Sequence, residues 1–172
     1  MIQVRKAIEA DIPGMLAIYN DIIENTTAVY DYKPHSLEMR MNWFSEKTKS
    51  GFPVFVAETD GIVAGFSSIG PFRNWAAYKY SVENSVYVSA AYRGKGIGRL
   101  LLKPLISAAE GMNMHTIIAS IDDTNLTSLR LHESFGFKEV ANFQEVGFKF
   151  GRWLNLKFLQ LMLPTPINPS TS

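Results

Sequence analysis

Tyr92-Arg93-Gly94-Lys95-Gly96-Ile97-Gly98-Arg99 is a glycine-rich stretch that follows an alternating segment, Glu83 to Ser89, and leads into an apolar-periodic one, Ile97 to Gly111. The first pattern predicts a strand and the second a helix. Glycine at every second position permits backbone conformations that other residues avoid, and it lets N–H groups approach an anion closely. The helix N-terminus adds the positive end of its dipole. The order of strand, glycine turn and helix therefore predicts a cradle for a diphosphate.

Three basic side chains surround this turn, namely Arg93, Lys95 and Arg99. The alternative interpretation is an ordinary glycine-rich turn with solvated basic residues. Two other phosphate motifs fit less well. A Walker loop needs four residues between its first glycine and Gly-Lys-Ser/Thr, and a dinucleotide fingerprint needs G-x-G-x-x-G near the start of a βαβ unit. This chain has G-x-G-x-G in the middle of its length.

Composition limits the remaining possibilities. The 172 residues are 47% hydrophobic, which is enough for one domain with a core, expected over residues 1–163, and the tail 164–172 is expected to be flexible. A net charge of +1 argues against a nucleic-acid partner. The absence of cysteine excludes disulfides and thiolate metal sites, and three scattered histidines argue against any metal site. The sequence shows no signal peptide and no long apolar run, so we expect a cytoplasmic protein without a membrane partner.

The periodicities predict a mixed α/β (α+β) order of elements. The first predicted elements are a strand over 2–6, a helix capped by Asp11, a helix from Ser36, and a hairpin over 54–58 and 62–69 that turns at Asp60-Gly61. They are followed by a strand over 80–89, a helix over 97–111, a strand over 116–121, a helix over 125–135, and a strand pair over 140–150 and 153–163. In the second helix, Leu37, Met41 and Phe44 are expected to face inward. Gly136 is expected to close the helix that begins at Asn125.

Taken together, these motifs resemble the GNAT family of acetyl-CoA-dependent N-acetyltransferases. The family signature, R/Q-x-x-G-x-G/A, fits at Arg93, Gly96 and Gly98. Three further blocks resemble the phosphinothricin and methionine sulfoximine acetyltransferase branch: Glu83 with Ser85-Val86-Tyr87-Val88-Ser89, Arg130-Leu131-His132-Glu133, and Gly147-Phe148-Lys149-Phe150-Gly151-Arg152-Trp153. The resemblance covers residues 1–163. It implies a GNAT fold, with a mixed central sheet of about seven strands, about four flanking helices and a splay at the acetyl-CoA site.

The resemblance also implies acetyl-CoA as co-substrate, with no metal. Backbone groups of the strand over 80–89 and side chains of the helix over 125–135 would hold the pantetheine arm. The glycine turn would hold the diphosphate. The implied cofactor-binding residues are Val86, Tyr87, Val88, Arg93, Gly94, Lys95, Gly96, Ile97, Gly98, Arg99, Asn125 and Ser128.

Glu83 is the candidate general base. The reaction is attack of an amine on a thioester, and an amine that is protonated at neutral pH must first lose a proton. On an alternating strand Glu83 shares a face with Ser85 and Tyr87, opposite the valines, so its carboxylate can point into a pocket. The resemblance makes it the base, acting directly or through water. The alternative is a solvated glutamate at the start of a strand.

His132 is the second catalytic candidate. Many GNAT enzymes carry a tyrosine seven residues after the helix asparagine, where it can protonate the departing thiolate, and this chain has His132 in that place. Seven residues is close to two helical turns, so Asn125, Ser128 or Leu129, and His132 share a helix face. Imidazole can act as an acid or a base near neutrality. A structural histidine is the open alternative.

Substrate selection is expected from the segment between two strands that contains Arg73, Trp75, Ala76 and Tyr78, together with the loop over residues 25–30. A guanidinium can hold a carboxylate through two parallel hydrogen bonds, and aromatic rings can wall a small pocket. Trp75 and Tyr78 are equally compatible with packing or an interface.

The function implied by the resemblance is acetylation of the α-amine of a small amino acid of the methionine sulfoximine, methionine sulfone or phosphinothricin type. Acetylation of a protein N-terminus or lysine is an alternative within the same fold, and an acetyl-CoA-sensing module without catalysis is another. The branch also implies a homodimer, in which the block Phe148 to Trp153 either closes a neighbouring subunit's pocket or fills a core.

Overall fold

The computed structural model describes residues 1–171, which contain seven β-strands and four α-helices. In chain order these are β1 Gln3–Lys6, α1 Ile12–Asn25, α2 Leu37–Lys49, β2 Val54–Thr59, β3 Ile62–Pro71, β4 Ser81–Val88, α3 Ile97–Gly111, β5 Thr116–Asp122, α4 Leu126–Glu133, β6 Lys138–Lys149 and β7 Arg152–Met162. The strands form a mixed sheet in the order β1-β2-β3-β4-β5-β7-β6. The predicted fold class is confirmed.

The chain folds into two compact units, and each unit comprises two separate stretches of sequence. The first unit comprises residues 1–69 and 85–105, and the second comprises residues 70–84 and residue 106 onward. The prediction of a single domain over residues 1–163 stays a prediction. In the first unit β1, β2 and β3 are antiparallel neighbours. In the second, the start of β4 runs parallel to β5, and β7 is antiparallel to both β5 and β6.

A tight turn at Asp60 and Gly61 joins β2 to β3, as the sequence predicts. Both residues have positive φ angles, 51° and 76°. Two consecutive residues in the left-handed region match the right-handed twist of the flanking strands, and Asp-Gly is a favoured pair for it. The predicted hairpin is therefore confirmed.

The core of the first unit lies between α1, α2 and strands β2 and β3. Its buried residues are Ile12, Met15, Ile18, Ile22, Phe44, Val54, Val56 and Phe66. Those on α1 recur every three or four residues, as expected for a helix that buries one face. Gly65 on β3 allows the backbone of β4 to come close, because a Cβ at this position would lie 2.8 Å from the carbonyl oxygen of Tyr87.

Asp11 occupies the predicted N-cap position of α1, but its side chain does not cap the helix. Its carboxylate accepts two hydrogen bonds from the Arg5 guanidinium, at 2.7 and 2.8 Å, and one from the backbone N–H of Ile8. The Arg5 hydrogen bonds hold the pKa of Asp11 below its ordinary value. Asp11 therefore ties β1 to the start of α1 instead of closing the helix end.

The inward face of α2 differs from the prediction. Ser36 is its N-cap and accepts a hydrogen bond from the N–H of Met39, as expected. Leu37 and Met41, however, are 47% and 50% exposed, and the expectation that they face inward is wrong. Phe44 is buried as predicted, and Arg40 is buried beside it on the same helix. The spacing of apolar residues does not predict the burial of Arg40. Arg40 and Phe44 are four residues apart and therefore lie on one helix face.

The second unit is centred on β5, which pairs with β4 on one side and β7 on the other. α4 ends at Glu133, two residues before the predicted end. Gly136 has a φ of 91°, and the N–H of Phe137 bonds the carbonyl of His132, so glycine closes this helix as predicted.

The tail after β7 makes hydrogen bonds within the second unit. The Thr165 hydroxyl donates to the Met114 carbonyl at 2.6 Å, and the N–H of Ser170 donates to the Tyr80 hydroxyl at 2.9 Å. The flexible tail was expected over residues 164–172, and residue 172 lies outside the described part of the chain. Within the described part, no helix combines the length and apolar character needed to cross a membrane.

Candidate active site

The glycine-rich stretch forms a turn between the end of β4 and the N-terminus of α3. Gly94 and Gly96 both have φ values of 77°, a conformation that side chains with a Cβ rarely adopt. Ile97, the first residue of α3, is 1% exposed and packs with Ala57, Ala64 and Leu101. The glycines therefore turn the chain, and the apolar contacts fix the direction of the helix that follows.

The space in front of this turn is open. A Cβ built on Gly94 or Gly96 meets no atom within 4 Å. The side chains of Arg93, Lys95 and Arg99 are exposed around it. The first N–H groups of α3 have no intrahelical acceptor, since a helix begins with four such donors. Open space, free amide donors and three cations suit a diphosphate group.

Glu83 is positioned by the start of β4. The parallel ladder between β4 and β5 has three residue pairs and ends at Glu83 opposite Ile118. Ser120 lies two residues further along β5, so its side chain is on the same face as that of Ile118. Its hydroxyl donates a 2.5 Å hydrogen bond to Oε1 of Glu83. Sequence reasoning missed Ser120, because only the strand register shows that it reaches Glu83.

His132 is buried in the second unit, with both ring nitrogens in hydrogen bonds. Nδ1 lies 2.8 Å from the backbone carbonyl of Ser128, so it carries the hydrogen and donates. Nε2 is then the acceptor and lies 2.9 Å from Nδ2 of Asn84. The ring also makes an edge contact with Phe137, with centroids 5.0 Å apart. Burial lowers the pKa of the His132 imidazole below its ordinary value, partly offset by the Ser128 bond.

These contacts favour the structural alternative for His132 over acid or base catalysis. The Ser128 carbonyl fixes one tautomer of the neutral His132 ring. That ring in turn positions Asn84 on β4. The Oδ1 atom of Asn84 is buried without a hydrogen-bond partner among residues 1–171. No sequence pattern indicates Asn84, because its partner His132 lies on α4, 48 residues away along the chain.

Asn125 is the N-cap of α4. Its Oδ1 accepts a hydrogen bond from the N–H of Ser128 at 3.2 Å. The two hydrogens on its Nδ2 find no acceptor within residues 1–171, so they can serve a ligand. The hydroxyl of Ser128 lies 3.5 Å from Nδ1 of His132. The predicted shared face of Asn125, Ser128 and His132 is thus present.

The predicted substrate segment forms an exposed aromatic cluster. Phe72 and Tyr78 have ring centroids 5.8 Å apart, and Trp75 and Tyr78 have centroids 6.4 Å apart. The Arg73 guanidinium lies over the Phe72 ring at 4.1 Å and donates to the Phe72 carbonyl. Ala76 begins a short 3-10 turn that ends at Tyr78. Trp75 is 73% exposed, so these rings are available for contact with a ligand or another chain.

The structure divides the predicted site residues between the two compact units. The second unit contains Glu83, the hydrogen-bonded pair of Asn84 and His132, the cap at Asn125, and the aromatic segment. The first unit contains the strand end Val86–Val88 and the glycine turn. Within residues 1–171 there is no cluster of three histidine or acidic side chains arranged to hold a metal ion.

Comparison with known proteins identifies the class. The model of the acetyltransferase (GNAT) family matches residues 15–137. This chain therefore belongs to the GNAT acetyltransferase family.

Two curated relatives cover nearly the whole chain. An L-methionine sulfoximine/L-methionine sulfone acetyltransferase of Pseudomonas aeruginosa is 43% identical over 168 residues, which are 96% of this chain and 98% of its own. A phosphinothricin N-acetyltransferase of Alcaligenes faecalis is 36% identical over 159 residues, which are 91% of this chain and 80% of its own. The predicted resemblance to this branch is confirmed.

Two solved structures have the same fold. An acetyltransferase of Salmonella typhimurium, solved with its cofactor acetyl-CoA, superposes with a TM-score of 0.96 at 39% identity and covers 99% of this chain and 98% of its own. A ribosomal-protein-alanine N-acetyltransferase of Brucella melitensis superposes with a TM-score of 0.92 at 47% identity and covers 94% of this chain and 99% of its own.

The buried state of His132 predicts a specific pH dependence of stability. Its pKa in the folded chain lies below the 6.5 of an ordinary histidine, so the unfolded chain binds more protons as the pH falls through about 6.5. The free energy of unfolding should therefore decrease from about pH 7.5 to about pH 5.5. His132→Gln should show a smaller decrease, measured by urea unfolding.

The matched control is His115→Gln, the same substitution at an exposed histidine. An NMR titration of the ring Cε1–H signals gives a direct reading. A His132 signal that titrates at or above pH 6.5 would contradict the neutral, hydrogen-bonded ring.

Proposed function

We propose that this chain transfers the acetyl group of acetyl-CoA to the α-amine of a small amino acid of the methionine sulfoximine, methionine sulfone or phosphinothricin type. The observation that carries the proposal is the turn at Gly94 and Gly96, which opens a cationic, amide-lined space at the N-terminus of α3. The named activities of the curated relatives support the acceptor class.

Acetyl-CoA, when bound, supplies an acyl group on a thioester that an amine can attack. The backbone of Gly94 to Gly98, with Arg93, Lys95 and Arg99, would hold its diphosphate. Backbone groups of Val86, Tyr87 and Val88 and the free Nδ2 hydrogens of Asn125 would hold the pantetheine arm. In the proposal, the N–H of Val88 polarises the thioester carbonyl as charge develops on its oxygen.

Glu83 acts as the general base in this proposal. Its carboxylate accepts the proton that the acceptor amine must lose, directly or through water. The hydrogen bond from Ser120 fixes one carboxylate oxygen and leaves the other to receive the proton. His132 acts as a positioning residue, because its own nitrogens are already bonded to Asn84 and Ser128.

The acceptor would contact the segment Arg73, Trp75, Ala76 and Tyr78. Exposed aromatic rings and a guanidinium offer apolar walls and donors to a small polar molecule. These assignments account for the acceptor side of the reaction.

Protein acetylation is the second candidate, favoured by the 47% identity to the ribosomal-protein-alanine N-acetyltransferase. A thiol-release assay with acetyl-CoA separates the two candidates. The acceptor panel contains methionine sulfoximine, methionine sulfone, phosphinothricin and peptides with an N-terminal alanine. Turnover confined to the peptides would favour the second candidate, and no turnover with any acceptor would favour an acetyl-CoA-sensing module.

Glu83→Gln should lower turnover by about 100-fold or more, as expected for loss of a general base. Glutamine keeps the shape and still accepts the Ser120 hydrogen bond, so acetyl-CoA affinity should stay near that of the wild type. Turnover is measured by thiol release and affinity by calorimetry. Glu133→Gln, the same change on the exposed side of α4, is the control and should keep full turnover. Unchanged turnover in Glu83→Gln would show that another group takes the proton.

Gly96→Val should weaken acetyl-CoA binding by about tenfold or more, because a branched side chain in a left-handed conformation strains the turn and fills the space in front of it. Gly51→Val is a closely matched control. Gly51 has the same φ of 77° and equally open surroundings, but it lies in the turn after α2. Equal affinities of the two variants for acetyl-CoA in calorimetry would rule out the turn as the diphosphate site.

The proposal includes a homodimer formed through β6 and β7. Several apolar side chains on these strands are about half exposed or more, namely Val140, Phe143, Val146, Phe148, Trp153 and Met162. Many exposed apolar side chains on two neighbouring strands favour an interface with another chain. Sedimentation equilibrium should give twice the 19.3 kDa of one chain, and a mass of 19.3 kDa at micromolar concentration would contradict the dimer.

A further inference from the structure

The first unit contains a cavity of about 190 Å³ between α1, α2 and strands β3 and β4. Its lining residues are Tyr19, His35, Met39, Arg40, Trp43, Lys47, Ser68, Ser85 and Tyr87. The lining includes two permanent cations, one histidine and four hydroxyl groups, but no aspartate or glutamate. An engineered cavity of about 150 Å³ holds a molecule as large as benzene, so this volume suits a small polar group.

Arg40 dominates the electrostatics of this cavity. The residue is only 2% exposed. Its guanidinium carbon lies 3.9 Å from the ring centroid of Tyr19, 4.6 Å from that of Trp43 and 5.9 Å from that of Phe66. Three aromatic faces hold the guanidinium in place and provide cation–π attraction.

Within the described residues, no carboxylate forms an ion pair with this guanidinium. The ion pairs found within residues 1–171 do not include Arg40, and its Nε is buried without a hydrogen-bond acceptor. A buried charge without a partner is costly, and arginine remains protonated at neutral pH. The fold therefore keeps a buried cation at the wall of a cavity, with the Tyr19 side chain and no carboxylate beside it. A bound anion would complete this arrangement.

We infer that Arg40 binds the α-carboxylate of the acceptor amino acid in this cavity. The inference rests on the proposed function and identifies the part of the acceptor that the chain recognises. A guanidinium matches a carboxylate through two parallel N–H bonds. Methionine sulfoximine and methionine sulfone have uncharged side chains, so the α-carboxylate is the anion that they share with phosphinothricin.

Arg73 is the competing guanidinium. It is exposed, with its guanidinium carbon 4.1 Å from the ring centroid of Phe72, and water screens its charge there. A buried cation discriminates more strongly between a carboxylate and a neutral analogue, because the neutral analogue leaves that cation unpaired. The inference therefore assigns the carboxylate to Arg40 and not to Arg73.

The test compares two acceptors, methionine sulfone and its carboxamide, by thiol release in the wild type, Arg40→Met and Arg73→Met. The wild type should prefer the acid over the amide. Arg40→Met should lower kcat/KM for the acid by about 100-fold and change that for the amide by less than about threefold. Arg73→Met should keep the preference for the acid. Acetyl-CoA affinity, measured by calorimetry, should be the same in all three proteins.

Arg40→Lys covers the case in which Arg40→Met does not fold. Lysine keeps the charge but donates as a point cation, so the acid-to-amide preference should fall by about tenfold while amide turnover stays unchanged. Parallel loss of both acceptors, with acetyl-CoA affinity intact, would overturn the inference and leave Arg40 a packing residue. Collapse of the preference in Arg73→Met alone would also overturn it.

A failure of the proposed function would give a different result in this assay. A wild type that acetylates no amino acid would contradict the proposed function, and this inference with it. A wild type that prefers the acid, together with an Arg40→Met variant that keeps the preference, would overturn only the role of Arg40.

Discussion

The connection from β4 to α3 depends on a backbone constraint, because two residues of the turn must adopt left-handed φ angles. Gly94 and Gly96 meet that constraint, and the buried Ile97 then fixes α3. Any side chain at either glycine would strain the turn and occupy the open space in front of it. The same geometry that reverses the chain also presents the first amide groups of a helix to that space. The conformation that reverses the chain is therefore also the one that the proposed diphosphate site requires.

β4 carries chemically different residues along its length, and each is fixed by a different neighbour. Glu83 is held by the Ser120 hydroxyl, and Asn84 by a neutral His132. Ser85 and Tyr87 line the cavity in which Arg40 is buried. A strand suits this role because alternate side chains keep one face over several residues. The proposed reaction thus uses side chains whose orientations are set by hydrogen bonds made before any ligand binds.

Local patterns were sufficient to predict the glycine turn, the Asp60-Gly61 hairpin, the Ser36 cap and the closing glycine at Gly136. Each depends on the conformational preferences of residues close together in sequence. The errors and omissions concern tertiary contacts. Leu37 and Met41 are exposed because the buried face of α2 is built around Arg40. Arginine is a charged residue, so a pattern of apolar residues does not predict its burial. Ser120 and Asn84 become visible only when β5 and α4 are placed beside β4.

The central claim is that the turn from Arg93 to Gly98 holds the diphosphate of coenzyme A. The most direct measurement is a crystal structure of this protein grown with coenzyme A. The account predicts that the diphosphate oxygens lie within hydrogen-bond distance of backbone N–H groups between Gly94 and Gly98. A coenzyme bound at any other place, with this turn left in contact with solvent, would contradict it.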